Sequence, residues 1–174
     1  MNFAPQEIQT GDVLLFSGRS WWSRVIRART RSRWSHVGIA VRLLTPLSIT
    51  TRCFVIEALE GAGVRVVPFE SWQQWDGEIQ RLSPSLNAER RLDMVRFALQ
   101  HWGCPYSSPL QFVRSFGLLT TWICRKLRLT RVDLERRRFF CSELVAGALH
   151  AAGCKLPKPP AAMSPADVAE FLQA

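Results

Sequence analysis

Short apolar runs and alternations fill the first half of the chain, whereas in the second half apolar residues recur every three or four positions. Residues 11–18 hold a compact apolar run between Gly11 and Gly18, the pattern of a buried strand. Residues 35–44 and 53–59 are β-branched and apolar, and a Pro- and Thr-containing connection separates them, which predicts neighbouring antiparallel strands. A turn and third strand follow over 61–69, and a fourth strand over 78–82. Ser20 is placed to cap a short helix over 21–29 that is aromatic on one side and basic on the other. Asn87 opens an apolar-periodic helix to about residue 102, which Gly103 and Pro105 stop. A further helix is expected over 139–152, ended by Gly153, and Ser164-Pro165 starts a last one by the cap-then-proline signal. Residues 110–130 fit helix and loop equally. Strands first and helices later predict an α+β fold, an antiparallel sheet packed on one side by helices.

Length fits one domain, 1–174, and leaves room for a real core. Apolar residues make up 47% and charged residues 21%, a globular balance. The 23 basic against 14 acidic side chains leave a net charge of +9, and nearly all the basic residues are Arg. Such an excess reflects either coding bias or an anionic neighbour, whether lipid headgroups, nucleic acid or an acidic substrate. The longest charge-free run, 97–113, is broken by Gly103, Pro105 and Pro109, so no transmembrane helix is expected. The first twelve residues lack a basic patch followed by an apolar stretch, so no secretory signal is expected either. Five scattered cysteines without a CxxC pair argue against a disulfide framework and a structural zinc site. The expectation is a cytoplasmic protein with reduced thiols, no metal and no cofactor.

One segment carries chemistry: Phe139-Phe140-Cys141-Ser142-Glu143-Leu144. Cys141 falls at the first turn of a predicted helix, where unpaired N–H groups favour a thiolate and can hold the oxyanion formed when it attacks a carbonyl. By itself such a cysteine is more often inert core. A nucleophilic thiol needs a base, and His36 lies in Ser35-His36-Val37-Gly38-Ile39-Ala40-Val41. By strand alternation His36 shares a face with Gly38 and Ala40, which leaves room for a slim helix to approach. The helix after Cys141, rich in Ala and carrying Gly147, is a candidate to fill that room. Glu57 sits in the apolar strand Cys53-Phe54-Val55-Ile56-Glu57-Ala58, where a carboxylate is costly unless paired. If that strand neighbours the His36 strand, Glu57 accepts from one imidazole nitrogen and the other takes the thiol proton. Read alone, Glu57 is equally an edge-strand residue facing water.

Taken in order, Gly11-Asp12-Val13-Leu14, the His36 segment, Val55-Ile56-Glu57-Ala58, Gly63-Val64, Gly103-Cys104-Pro105-Tyr106 and Phe140-Cys141-Ser142-Glu143-Leu144-Val145 resemble the circularly permuted papain-like hydrolases. The likeness is specifically to the YiiX/YebB-like group, itself related to the NlpC-type and lecithin retinol acyltransferase-like families. The resemblance implies a permuted papain-like fold with the order His, polar residue, Cys. It implies Cys141 as nucleophile, His36 as general base, Glu57 as its orienter and Tyr106 near the oxyanion. Ser107 stands where similar proteins often carry an aspartate, a departure that touches substrate contacts and not the triad. The implied activity is a cysteine hydrolase, of amidase/peptidase or acyl esterase type, acting through an acyl-thioester on a peptide (peptidoglycan-derived in one version) or an acyl-lipid.

The remaining candidates have plainer readings. His101 ends a helix, where the dipole favours a partly charged ring; His150 is more than two turns from Cys141; Glu143 complements its helix dipole and is expected to face a salt bridge or solvent. Cys53, Cys104, Cys124 and Cys154 read as small core or surface residues. Two Arg-rich stretches, 19–33 and 125–138, interleave arginines with apolar side chains, and 110–123 is apolar enough to cap a pocket or rest on a bilayer. They fit a solvated basic face over ordinary core, with peripheral contact with an anionic membrane as the alternative; no nucleic-acid motif accompanies them. The rival function is a non-catalytic basic module that binds membrane or nucleic acid, with an acyltransferase of the lecithin retinol type as a further alternative.

Overall fold

The structure, a computed structural model, describes residues 3–44, 51–73, 77–107 and 138–174. Its frame is a five-stranded antiparallel sheet in the order β4-β3-β2-β1-β5. The strands are β1 (Val13–Ser17), β2 (His36–Leu44), β3 (Thr51–Leu59), β4 (Gly63–Pro68) and β5 (Glu78–Leu82). The helices are α1 (Trp21–Thr30), α2 (Glu70–Gln73), α3 (Ala88–Gln100), α4 (Cys141–Ala151) and α5 (Pro165–Gln173). The predicted caps are in place: Ser20 Oγ accepts from the Ser23 amide, Asn87 from Arg90, and Ser164 from Asp167. The α+β reading and the expected strand neighbours hold. The ambiguous stretch 110–130 and the second Arg-rich stretch, Arg138 excepted, lie outside the described residues.

Two differences from the sequence reading have physical causes. The helix expected from residue 139 starts at Cys141, because Phe140 is extended (φ −80°, ψ 159°) and Phe139 bridges to Tyr106 instead. The slim helix also takes the other face of the sheet. Val37, Ile39 and Val41 point toward α3, α4 and α5 and form one core with Leu144, Val145 and Leu149. Ala40 belongs to a second core on the opposite face, with Leu14, Phe16, Val55, Phe69 and Trp72. No space stays open beside His36 on that side: a Cβ at Gly38 would lie 2.6 Å from Val55 Cγ1. Gly147 serves the contact of α4 with α3, since a Cβ there would stand 2.7 Å from the Phe97 ring. The large apolar side chains of β2 therefore bind the helices, as hydrophobic burial favours, and the small ones permit strand-to-strand closeness.

Asp12 fixes the rim of the sheet. It is fully buried, and its carboxylate accepts from the Gln9 amide (2.8 Å), Ser83 Oγ (2.6 Å) and Arg91 Nη1 (2.8 Å), with Arg81 at 3.4 Å. One side chain thus joins the entry to β1, the exit of β5 and the first turn of α3. Removing it leaves the half-buried Arg91 charge without its partner. Asp12→Ala is expected to lower unfolding free energy by about 3–5 kcal/mol in urea titration, the usual cost of breaking a buried pair.

Candidate active site

Ser35 sets up the strand that begins with His36. Its amide and hydroxyl both donate to the Phe16 carbonyl (2.9 and 3.2 Å), and its oxygen accepts from the Gly18 amide (3.0 Å). His36 then pairs with Phe16 across β1 and β2. Its ring lies against Phe16 and Trp72, with centroids 5.5 and 5.7 Å away. That aromatic wall packs against the imidazole and leaves its side chain 12% exposed.

The β2–β3 pairing that the sequence suggested puts Glu57 beside this ring. His36 Nε2 and Glu57 Oε2 are 2.7 Å apart. Glu57 is fully buried, so it does not face water. Its second oxygen, Oε1, accepts two hydrogen bonds from Arg65, from Nε at 3.0 Å and Nη2 at 2.8 Å. Burial opposes the Glu57 charge, but the hydrogen bonds and charges of His36 and Arg65 outweigh it and hold the carboxyl below its ordinary range.

Cys141 is the first residue of α4 and is buried. The first hydrogen bond of the helix runs from the Leu144 amide to the Phe140 carbonyl, so the amides of residues 141–143 have no acceptor within the helix. The Cys141 side chain lies within electrostatic reach of His36. Burial works against a charged His36, yet the Cys141 charge and hydrogen bond, followed by those of Glu57, push the imidazole up to about 10. Cys141, His36 and Glu57 are thus brought together although they come from widely separated segments.

Tyr106 joins them through backbone contacts. It bridges to Phe139, the Phe139 amide donates to Pro105 (3.2 Å), and the Ser107 amide donates to Phe139 (3.1 Å). Its ring meets Phe140 edge-on at 5.7 Å and packs near Ile26 of α1. Burial first, and then the charges of Cys141 and Glu60, push its phenol well above the usual range, so it stays an O–H donor. The Gly63-Val64 and Gly103-Cys104 pieces anchor this segment. The Val64 amide donates to the Cys104 carbonyl (2.8 Å) and the Gly103 amide to Val64 (2.9 Å). Gly63 has φ +73°, and a Cβ there would overlap the Cys104 carbonyl, so only glycine permits the contact.

Other candidates fall outside the cluster. Glu143 is partly exposed, as expected, and its carboxylate turns back to accept from the Phe140 amide at 3.4 Å; burial raises its pKa. His101 is buried, and its Nδ1 donates to the Phe97 carbonyl at 2.7 Å between the Phe97 and Phe139 rings. His150 is exposed near the far end of α4. Burial pushes the Cys53 thiol up to about 11, which makes it a poor nucleophile, and raises Cys154 as well. Cys124 lies outside the described residues. Arg65 was missed in the sequence. Its signal was an arginine inside the apolar strand Gly63-Val64-Arg65-Val66, but its value depends on standing opposite Glu57, and strand register was not readable.

Residues 7–113 match the model of a family described as permuted papain-like amidase enzymes, YaeF/YiiX, C92. The chain belongs to that family. Membership makes it a hydrolase of the papain-like, cysteine type, and the permuted papain-like α+β fold is the family's fold. The matched stretch includes His36, Glu57 and Tyr106 and ends before Cys141. No curated protein matches the chain significantly. A solved structure, described as the metalloprotein YiiX from Escherichia coli O157:H7, is similar with a TM-score of 0.59 and 22% identity over 86% of this chain and 69% of that one. At that identity the likeness concerns the fold alone. A resident metal ion does not fit this permuted papain-like site: among the described residues no three His, Cys, Asp or Glu side chains converge as ligands. Both Glu57 oxygens are also already taken, one of them by a guanidinium.

The high His36 value depends chiefly on Cys141. In Cys141→Ser the imidazole loses that charge while its burial remains, so its titration midpoint is expected to fall below about 10. A histidine NMR titration of the two proteins checks the shift.

Proposed function

We propose that the chain, residues 1–174 acting as one catalytic unit, is an amidase or acyl esterase whose nucleophile is Cys141, with His36 as general base and Glu57 as its orienting group. The observation that carries this reading is the 2.7 Å contact of His36 Nε2 with Glu57, on a ring whose charge is favoured by the Cys141 thiol at a helix N-terminus. Because Nε2 donates to Glu57, Nδ1 is the nitrogen that receives the Cys141 proton. The thiolate forms a bond to the substrate carbonyl carbon, and the carbonyl electron pair moves to oxygen. That oxyanion accepts from the Cys141 amide and the Tyr106 hydroxyl. As the oxyanion collapses, the C–N or C–O bond breaks and His36 returns the proton to the leaving group. Water, deprotonated by His36, then attacks the acyl-thioester carbonyl; the C–S bond breaks, the acid leaves, and the proton stays with the regenerated Cys141–His36 pair.

Alanine at Cys141 is expected to abolish turnover. Loss of the general base in His36→Ala should cost about 10²–10⁴-fold, with Glu57→Gln milder, and Tyr106→Phe about 10²-fold in kcat. A hydrolysis assay on model amides, esters and thioesters reads all four. Full hydrolytic activity in Cys141→Ala sinks Cys141 as the nucleophile, whereas no turnover by the wild type on any of these substrates leaves the binding module standing.

For the substrate, an acyl chain at an anionic membrane is favoured over a soluble peptide by α1. Trp21 (73% exposed), Arg24, Val25, Ala28 and Arg29 share its outer face at helical spacing. Its inner residue Ile26 packs with Phe140 and Tyr106 beside the thiol. No acidic residue occurs between Asp12 and Glu57. Among the described residues no helix is long and apolar enough to cross a membrane, so the contact would be peripheral. Co-sedimentation with phosphatidylglycerol vesicles should weaken with salt and with Trp21→Ala plus Arg24→Glu. Equal retention by neutral vesicles would count against an anionic surface.

A further inference from the structure

Arg65 has no role in the chemistry above, yet it makes the closest charged contact to Glu57 after His36. β3 and β4 pair with Glu57 directly opposite Arg65, so the guanidinium reaches the carboxylate without a bent backbone. Two of its nitrogens converge on Oε1, while Oε2 is left to His36. The two oxygens therefore have separate partners, and the plane of the carboxylate is fixed by the side away from the thiol. Arg65 is about one-third exposed and Glu57 not at all, so the guanidinium keeps contact with water while the carboxylate does not.

We propose that Arg65 is a positioning residue for this site: it holds Glu57 ionised and turned so that Oε2 faces His36 Nε2, and through that bond it fixes which imidazole nitrogen is offered to Cys141. The proposal rests on the Cys141–His36 reading and adds a fourth member to it. A dry carboxylate with only one ionic partner takes up a proton readily. Protonated, Glu57 becomes a hydrogen-bond donor, and the ring can then present the wrong nitrogen to the thiol. Among the described residues, the charged or titratable groups bearing on this pair are Arg65 from β4, Cys141 from α4 and, through Cys141, Tyr106. From β1 and α2 the ring meets the uncharged Phe16 and Trp72. Lysine at 65 keeps the charge but has no two-nitrogen fork, so it separates ionisation from orientation.

The test needs no substrate. Alkylation of Cys141 by iodoacetamide is followed from pH 5 to 9 by mass spectrometry, with the other four cysteines as internal controls. Wild type, Arg65→Met, Arg65→Lys, Glu57→Gln and the Glu57→Gln/Arg65→Met double variant are compared, each first checked for a cooperative thermal transition. The expected result is a rise in the midpoint of the rate profile in Arg65→Met, equivalent to about tenfold slower reaction at pH 6 for one pH unit. Arg65→Lys should recover part of the loss, and Arg65→Met should cause no further loss once residue 57 is glutamine. Should Arg65→Met not fold, the Arg65→Lys profile carries the test: an upward shift supports the proposal and superposition on wild type overturns it. A downward shift overturns it too, since Arg65 would then act only by repelling the imidazolium. So does an equal loss in the Glu57→Gln background, the mark of a merely structural arginine. If wild-type Cys141 reacts no faster than the control cysteines, the thiol reading itself falls, and the role of Arg65 falls with it.

Discussion

A carboxylate sealed from water is tolerated only while something else solvates it, and in this protein that carboxylate is Glu57. Three hydrogen bonds solvate it, one from an imidazole on one oxygen and two from a guanidinium on the other. Those partners come from the two strands that flank it on either side in the sheet, β2 and β4. The register of both pairings is therefore constrained by more than apolar burial. A one-residue slip of either strand would turn a partner to the opposite face and leave Glu57 buried and unmatched. The same constraint explains the small residues nearby: Gly38 lets β2 and β3 close up where a larger residue would strike Val55.

The second layer meets this polar strip at its end. The helices α3, α4 and α5 bury the Val37, Ile39 and Val41 face, while the aromatic rings of Phe16 and Trp72 enclose His36 from the other. The thiol and the imidazole meet where two elements begin, at the first residue of α4 and the first residue of β2. Element ends are where backbone N–H groups remain available, so one turn of helix presents such donors beside the Cys141 thiol. Tyr106 is tied to that turn by the short backbone bridge to Phe139, and the Gly63–Cys104 contact ties the bridge back to β4. Glu57 and Tyr106 are in this way anchored to the same strand from two directions.

Much of this was legible in the chain. Alternation and capping residues gave β1 to β5, α1, α3 and α5, because local backbone preferences act over a few residues. His36, Glu57 and Cys141 could be singled out for their chemistry: a carboxylate in an apolar strand and a cysteine at a helix start both demand a partner. Which face the slim helix would choose was not legible. Small residues at Gly38 and Gly147 mark close approaches, but not of what to what, and here they serve β3 and α3. Arg65 and Asp12 were hidden for a related reason. Each matters through a residue far along the chain or across a register, and a single sequence carries no record of those pairings.

The polar part of the site has an uneven address in the chain. His36, Glu57 and Arg65 lie on three consecutive strands joined as a meander, whereas Cys141 arrives from near the far end. Contacts made between neighbouring strands close short loops, and those that bring in a distant helix close a long one at greater entropic cost. A folding chain can thus assemble the His36–Glu57–Arg65 set before Cys141 is delivered to it. On the reading proposed above, the reactive pair then exists only in the finished molecule, and a nascent chain lacking its last segment carries the base and its supports without Cys141.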